Sequence, residues 1–433
     1  MSETSQDSTS GFKIPVKYSI FITLISFFGW TLAFMDAQFF GLLVPKILVA
    51  FSLNLNEISL ITLVSNALAV VSAMLLGHLM DKRGRLLPFQ ITMVFYSLGS
   101  FFTAISGGFL SILGARTVVT LGTGPEGSVA SVMVTENNDK RWRGISTGLL
   151  LLAVPVGVTI ATIITGLVVV TGGLNWRYVF FIGIFPAILI LIFRLKAKES
   201  ARFVEMDKIR RESKAKNFQS DITDVKKVRH EPIRQIFESD LRRKSITVII
   251  FSTLASGVFF SILLYATEYL TVAKGISYGS SLIVVGTGSS ISIIGYVVAT
   301  FIGQKIGRKE TTIIFGLLGG VALFFLAIAN GLENILISYV LFQVFFAAIG
   351  STFVALFAEM YPTRARGAGQ SLNFASQSAG YALWPLILTA TVGVVGWDSA
   401  FLYVEVVPLV ISAISLLAIP RVVPTAELES IAV

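Results

Sequence analysis

Long apolar stretches separated by short polar ones make up most of this chain. They run near 17–45, 57–79, 88–106, 109–136, 143–171, 176–196, 244–270, 278–303, 310–330, 333–359, 366–393 and 397–419. A helix needs ~20 apolar residues to cross a bilayer. Lipid offers backbone groups no partners, and barrel strands need only about ten alternating residues, so runs of this length predict helices. The expected fold class is an all-α membrane protein with twelve transmembrane helices. A polar segment at 197–243 divides them into two six-helix bundles, 17–196 and 244–419, with short tails at 1–16 and 420–433.

Composition agrees with the pattern. The chain is 54% hydrophobic and only 14% charged, whereas an average soluble domain carries roughly 25% charge. Nearly all of the 34 Lys and Arg residues fall on one side: the N-terminal tail, the loops near 80–87, 137–143, 197–244 and 304–309, the start of the eleventh span and the C-terminal tail. Basic loops face the cytoplasm, so an even number of spans leaves both termini there. The net charge of +9 is thereby an orientation signal. A nucleic-acid partner would need a basic stripe on a soluble domain, and none is expected. Residues 1–16 lack a basic region leading into a short apolar stretch, so no cleaved signal is expected. There are no cysteines, and His78 and His230 are too few and too far apart to suggest a metal centre.

The polar segments repeat. Lys82, Gly84, Arg85, Glu136, Arg143 and Gly144 recur as Lys305, Gly307, Arg308, Glu359, Arg366 and Gly367, at a constant offset of 223. A match of this kind marks a duplicated unit. Two related, mostly apolar halves are the sequence form of a secondary transporter, with its substrate site between them. No phosphate-binding loop of the Gly-Lys-Ser/Thr type is present, so neither an ATP-driven pump nor an enzyme is expected.

Several of these segments resemble the major facilitator superfamily. The stretch Gly77 to Arg85, with Asp81 and Gly84, is similar to that family's loop between the second and third helices. Its counterpart, Gln304 to Arg308, has an amide in place of the acid. Glu136 seven residues before Arg143, and Glu359 seven before Arg366, resemble the paired motifs of the sugar-porter branch and its organic-ion relatives. Asn175-Trp176-Arg177, the Lys198 to Phe203 segment and the Glu359 to Gly367 segment extend the likeness over most of the chain. The resemblance implies a cytoplasmic gate of Asp81, Arg85, Glu136, Arg143, Arg308, Glu359 and Arg366, tying the inner ends of the two halves together.

Charges that the membrane would otherwise exclude supply the candidate chemistry. An Asp or Arg at a helix centre costs ~2.5–3.5 kcal/mol on insertion scales and marks an ion or substrate path. Asp36 in the first span, with Arg116 and Glu126 in the fourth, are the expected proton-coupling residues. Asp36, Gly41 and Pro45 have the spacing of aromatic-acid and proton symporters. Arg116, Gly122, Gly124 and Glu126 resemble the fourth helix of niacin, sialate and lactate symporters, with Pro125 in place of a usual glycine. Glu268 and Glu405 lie nearer the outer ends of their helices and are expected to be solvated there.

If Asp36 takes a proton, Arg116 loses its counter-ion and becomes free to receive a substrate carboxylate, for which its planar donor fork is suited. The alternative for the two is a permanent structural ion pair. Gln38, Asn66, Tyr265, Gln343, Asn373, Gln377 and Trp384 are further polar or amphipathic candidates within spans, able to orient substrate or to join helices.

The expected function is therefore proton-coupled symport of a small organic anion, a monocarboxylate or aromatic acid, by alternating access. The proton is the coupling ion and no other cofactor is expected. The setting is a monomer surrounded by lipid in a prokaryotic plasma membrane. A proton-coupled sugar symporter is the alternative, disfavoured because Ser252 to Gly257 replaces the paired glutamines of sugar porters. A drug antiporter and a non-transporting membrane protein rank below it.

Overall fold

The computed structural model describes residues 15–138, 148–200, 241–361 and 366–420, with a few isolated positions outside these ranges. The helices are α1 (Val16–Phe51), α2 (Leu55–Arg83), α3 (Leu86–Ala104), α4 (Phe109–Glu136), α5 (Gly148–Thr171) and α6 (Arg177–Leu195), then α7 (Arg242–Val272), α8 (Tyr278–Ile306), α9 (Arg308–Ile328), α10 (Leu332–Met360), α11 (Arg366–Val395) and α12 (Trp397–Ala418). Eleven of them are long and apolar enough to cross a membrane. The twelfth, α4, has the length at 28 residues but carries Arg116 and Glu126 among many Gly, Ser and Thr residues. The protein is thus an all-helical, multi-pass integral membrane protein.

Helix ends follow local chemistry. Asn54 and Glu57 close a reciprocal cap at the start of α2, each side chain accepting from the other's backbone N–H at 3.0 and 2.8 Å. Ser277 caps α8 by accepting from the Ser280 N–H at 3.1 Å. The duplicated glycines end α2 and α8 in the same way: Gly84 and Gly307 have φ of 100° and 107°, a region that only glycine enters without strain. The repeat seen in the sequence is therefore also a repeat of backbone conformation.

The halves meet along three helix pairs, α1 with α7, α2 with α11 and α5 with α8. Counted within its own half, α8 is a second helix and α11 a fifth, so the last two pairs are one contact made twice in exchanged order. That is the pattern of a pseudo-two-fold axis between the bundles. Helices α3, α6, α9 and α12 pack within their own halves.

Hydrogen bonds between described residues of the two halves lie in mid-membrane or toward the end away from the basic loops. Ser59 on α2 is 2.6 Å from the Tyr265 hydroxyl, 2.9 Å from the Thr389 hydroxyl and donates to the Pro385 carbonyl at 3.0 Å. Tyr278 donates to the Leu42 carbonyl at 3.1 Å, and Thr159 on α5 pairs with Ser290 on α8 at 3.2 Å. Gly41 permits the closest approach, since a β-carbon there would collide with the Leu263 carbonyl oxygen. Because that carbonyl is backbone on the opposite half, a side chain must push the halves apart. We expect Gly41→Val to separate labels placed at the ends of α1 and α7 remote from the basic loops, by several ångströms on average. Unchanged distances would mean that the contact is not part of a closure.

Candidate functional site

Asp36 and Arg116 are brought together between α1 and α4, buried at 5% and 7% side-chain exposure, with one guanidinium Nη1 donating to Asp36 Oδ2 at 2.7 Å. The pair is end-on. Asp36 Oδ1 accepts no hydrogen bond, and the other guanidinium donors bond no described residue. Phe40, one turn after Asp36, lays its ring 4.7 Å from the guanidinium carbon and holds the planar group in place.

Arg116 borders a cavity of about 70 Å³, lined also by Asn66, Thr62, Ser65, Thr120 and Thr123, by Phe40 from the first half and by Phe260 and Leu263 from the second. Across Leu263 lies a smaller cavity of about 30 Å³, lined by Gln38, Ser289, Ser292, Tyr296, Tyr339 and Gln343 and by Phe259 and Phe346. The Phe259 and Phe346 rings stack at 5.1 Å. Asp36 and Gln38 sit two residues apart on α1, so the charged pair and the neutral polar cavity border the same helix segment. Phe40, Phe259, Phe260 and Phe346 supply the aromatic walls of the two cavities.

Glu126 does not join this pair. It lies ten residues along α4 from Arg116, about 15 Å by helix rise, and its partner is Arg194 at the end of α6, a residue that sequence reasoning passed over. Both side chains are fully buried. Arg194 Nη2 donates to Glu126 Oε1 and Nη1 to Oε2 at 3.2 Å, while Thr92 donates to Oε2 at 2.6 Å. The guanidinium also lies over the Phe89 ring, and Gly29 on α1 leaves it room, since a β-carbon there would overlap Nη2. The expected trio is thus two separate ion pairs, and the second ties α1, α3, α4 and α6 together inside one half.

Three further candidates join helices, and Gln377 bonds one of them, Asn373, within α11. Tyr265 belongs to the Ser59 cluster between the halves. Asn373 accepts from Ser252 at 2.7 Å and from Gln377 at 3.1 Å, and Trp384 donates to the Val404 carbonyl at 2.9 Å while packing on Gly257. That carbonyl lies in a π-helical turn, Leu402–Val406, which loosens the regular ladder.

Glu268 and Glu405 are not solvated as expected. They are 7% and 0% exposed, because α7 and α12 pack together and Glu405 stands about 12 Å into α12 by helix rise. Ser261 faces Glu405 but donates to the Gly257 carbonyl at 2.9 Å, and neither carboxyl oxygen of Glu405 accepts a bond of good geometry.

At the basic end the repeated motif makes the same ion pair twice. Arg85 meets Glu136 at 3.0 Å and Arg308 meets Glu359 at 2.9 Å. Each pair joins residues of one half. Arg143 and the side chains of Asp81 and Arg366 lie outside the described residues. Glu199 reinforces the first copy by accepting from the Arg85 and Leu86 N–H groups at 2.8 and 3.1 Å.

The sequence pattern of the Major Facilitator Superfamily matches residues 20–354. A protein of Cupriavidus pinatubonensis named "Probable 4-methylmuconolactone transporter" is 25% identical over 346 residues, covering 78% of this chain and 76% of that one. The niacin transporter NiaP of Acinetobacter baylyi is 23% identical over 407 residues, covering 89% and 90%. Among solved structures, the inward-open xylose transporter XylE from E. coli superposes with a TM-score of 0.74 at 19% identity, over 95% of this chain and 99% of that one.

Proposed function

This chain belongs to the Major Facilitator Superfamily, and from that premise we propose that it carries a small organic anion across the membrane together with a proton. The observation that carries this reading is the Asp36–Arg116 pair, end-on at 2.7 Å, with unused donors bordering a cavity that both halves line. A bidentate pair would have spent those donors. A carboxylate arriving in the cavity meets a cation, and protonation of Asp36 releases that cation to it. Proton and anion then bind together and cross together. Relatives named for methylmuconolactone and niacin transport support an organic-acid substrate.

Basic loops favour the cytoplasm, so on this reading the basic end and both termini lie there, and the carrier works as a monomer in a prokaryotic plasma membrane. On this reading the cross-half bonds close the external side. The cavity of about 70 Å³ holds a few waters but not an aromatic acid, so substrate entry requires α1 and α7 to part. Alternating access supplies that movement.

The second reading is sugar transport. It is favoured by the neutral cavity beside Gln38, whose Ser289, Ser292, Tyr339 and Gln343 are groups suited to hydroxyls. The two readings separate on charge. Purified protein should be stabilised against heating by a carboxylic acid and not by its amide or ester. Arg116→Lys keeps the charge but loses the fork, and is expected to weaken binding of the acid about tenfold or more while leaving neutral analogues little changed. Equal binding of acid and amide by the unmodified protein rejects the organic-anion reading, and binding of a sugar alone installs the second.

A further inference from the structure

We propose that the groove between the start of α7 and the end of α12 is a binding site for one anionic phospholipid. The groove encloses about 490 Å³ and is lined by Ser239, Arg242, Arg243, Ile246, Ile250 and Ala418, among others. Its charge and its apolar surface are segregated along the membrane normal. Arg242 and Arg243 are exposed at the basic end, and neither guanidinium has a hydrogen bond or ion pair among the described residues. Ile246 and Ile250, 43% and 37% exposed, follow Arg243 at helical spacings of three and seven and so continue the same face.

That arrangement matches an amphiphile and not a small ion. A phosphate group at the arginine level would take charge-assisted hydrogen bonds from two donor forks. An acyl chain would run down the isoleucines into the hydrocarbon layer. The third cation of this turn, Lys244, points elsewhere, donating to the Met360 carbonyl at 3.0 Å. The first turn of α7 contains no acid, and Leu241 gives it no side-chain cap. α12 makes its main contacts within its own half, which leaves the groove outside the path between the halves. A lipid seated there would bridge α7, which meets α1 across the interface, to α12, whose main contacts lie within the same bundle.

The test uses the purified full chain in detergent, with native mass spectrometry counting retained lipid during titration with phosphatidylglycerol. One molecule should be retained in preference to phosphatidylcholine. Arg242→Ala with Arg243→Ala should weaken that binding about tenfold or more, since each basic side chain at the surface strengthens attraction to anionic lipid several-fold. Lys82→Ala with Arg83→Ala, which removes two exposed charges at the end of α2, should leave it unchanged. Three results would overturn the proposal: equal retention of phosphatidylcholine, equal loss in the Lys82 and Arg83 variant, or full competition by glycerol phosphate at the same concentration. The last would mean a site for a soluble phosphate.

Discussion

Asp36→Asn is expected to abolish substrate accumulation driven by a pH gradient while leaving substrate binding and exchange in place. Asn mimics the protonated acid in shape and charge, so Arg116, now 2.7 Å from a carboxylate oxygen, would keep its donors free for the substrate. What is lost is the release of a proton on the far side. A cycle moving one proton with one monoanion transfers no net charge, so the pH difference drives it, at ~1.4 kcal/mol per pH unit. Proteoliposomes loaded at one pH and diluted into another give the measurement. The unmodified protein should concentrate substrate severalfold, and the variant should reach only equal concentrations inside and out. Retained accumulation by Asp36→Asn, together with its loss in Glu126→Gln, would move the proton to Glu126 and leave Asp36 as architecture.

The largest loss of stability should follow from Arg194→Met. Its guanidinium and the Glu126 carboxylate are both fully buried, and removing one partner of such a pair costs about 3–5 kcal/mol because the other charge is stranded. Replacing both by residues of similar volume removes the stranded charge, so Arg194→Met combined with Glu126→Met should recover most of the loss. Thermal unfolding in detergent, read as a double-mutant cycle, gives the coupling. Additive losses would show that the two side chains act independently. A folded double variant that still accumulates substrate on a pH gradient would also remove Glu126 from the proton path.

On the proposed mechanism the two ion pairs of the first half have different roles. The Arg194 pair is sealed by Thr92, Phe89 and the absent side chain of Gly29, and such enclosure suits a permanent joint. The Asp36 pair has an unsatisfied oxygen and a cavity beside it, as a pair that must open requires. The ion pairs at the basic end are partly exposed, at 18% and 17% for Arg85 and Glu136. Exposed pairs stabilise by only ~0–1 kcal/mol, which suits contacts that exchange during a cycle.

Most of the helical layout was legible in the sequence, because lipid leaves the backbone one solution and the repeated Gly84 and Gly307 fall in the polar breaks between spans. The predicted spans lie within a few residues of the helices for which both ends are described, except at the end of α1, which runs through Pro45 to Phe51. Proline inside that helix removes one donor, and helix resumes beyond it. The duplication was equally legible, since the offset of 223 needs no third dimension. Asp36 and Arg116 stood out for the same reason, as charges where a bilayer tolerates few.

Sequence position fixes depth in the membrane but not the neighbour a side chain turns toward, and the differences all follow from that. Arg116 and Glu126 share α4, yet ten residues separate them by about 15 Å and place them on different faces, so one acid on α1 could not meet both. Arg194 closes an apolar run near the basic linker, and nothing in that position sets it apart in the sequence. Only the packing of α1, α3 and α4 around it turns it inward and makes it the partner of Glu126. Glu405 was judged by its distance from a helix end, while its burial comes from α7 lying against α12. The hydrophobic pattern therefore determined the helices and their depth. Which charges face each other, which face a cavity and which are sealed depended on how the helices rotate and pack, because those contacts join residues far apart in the chain.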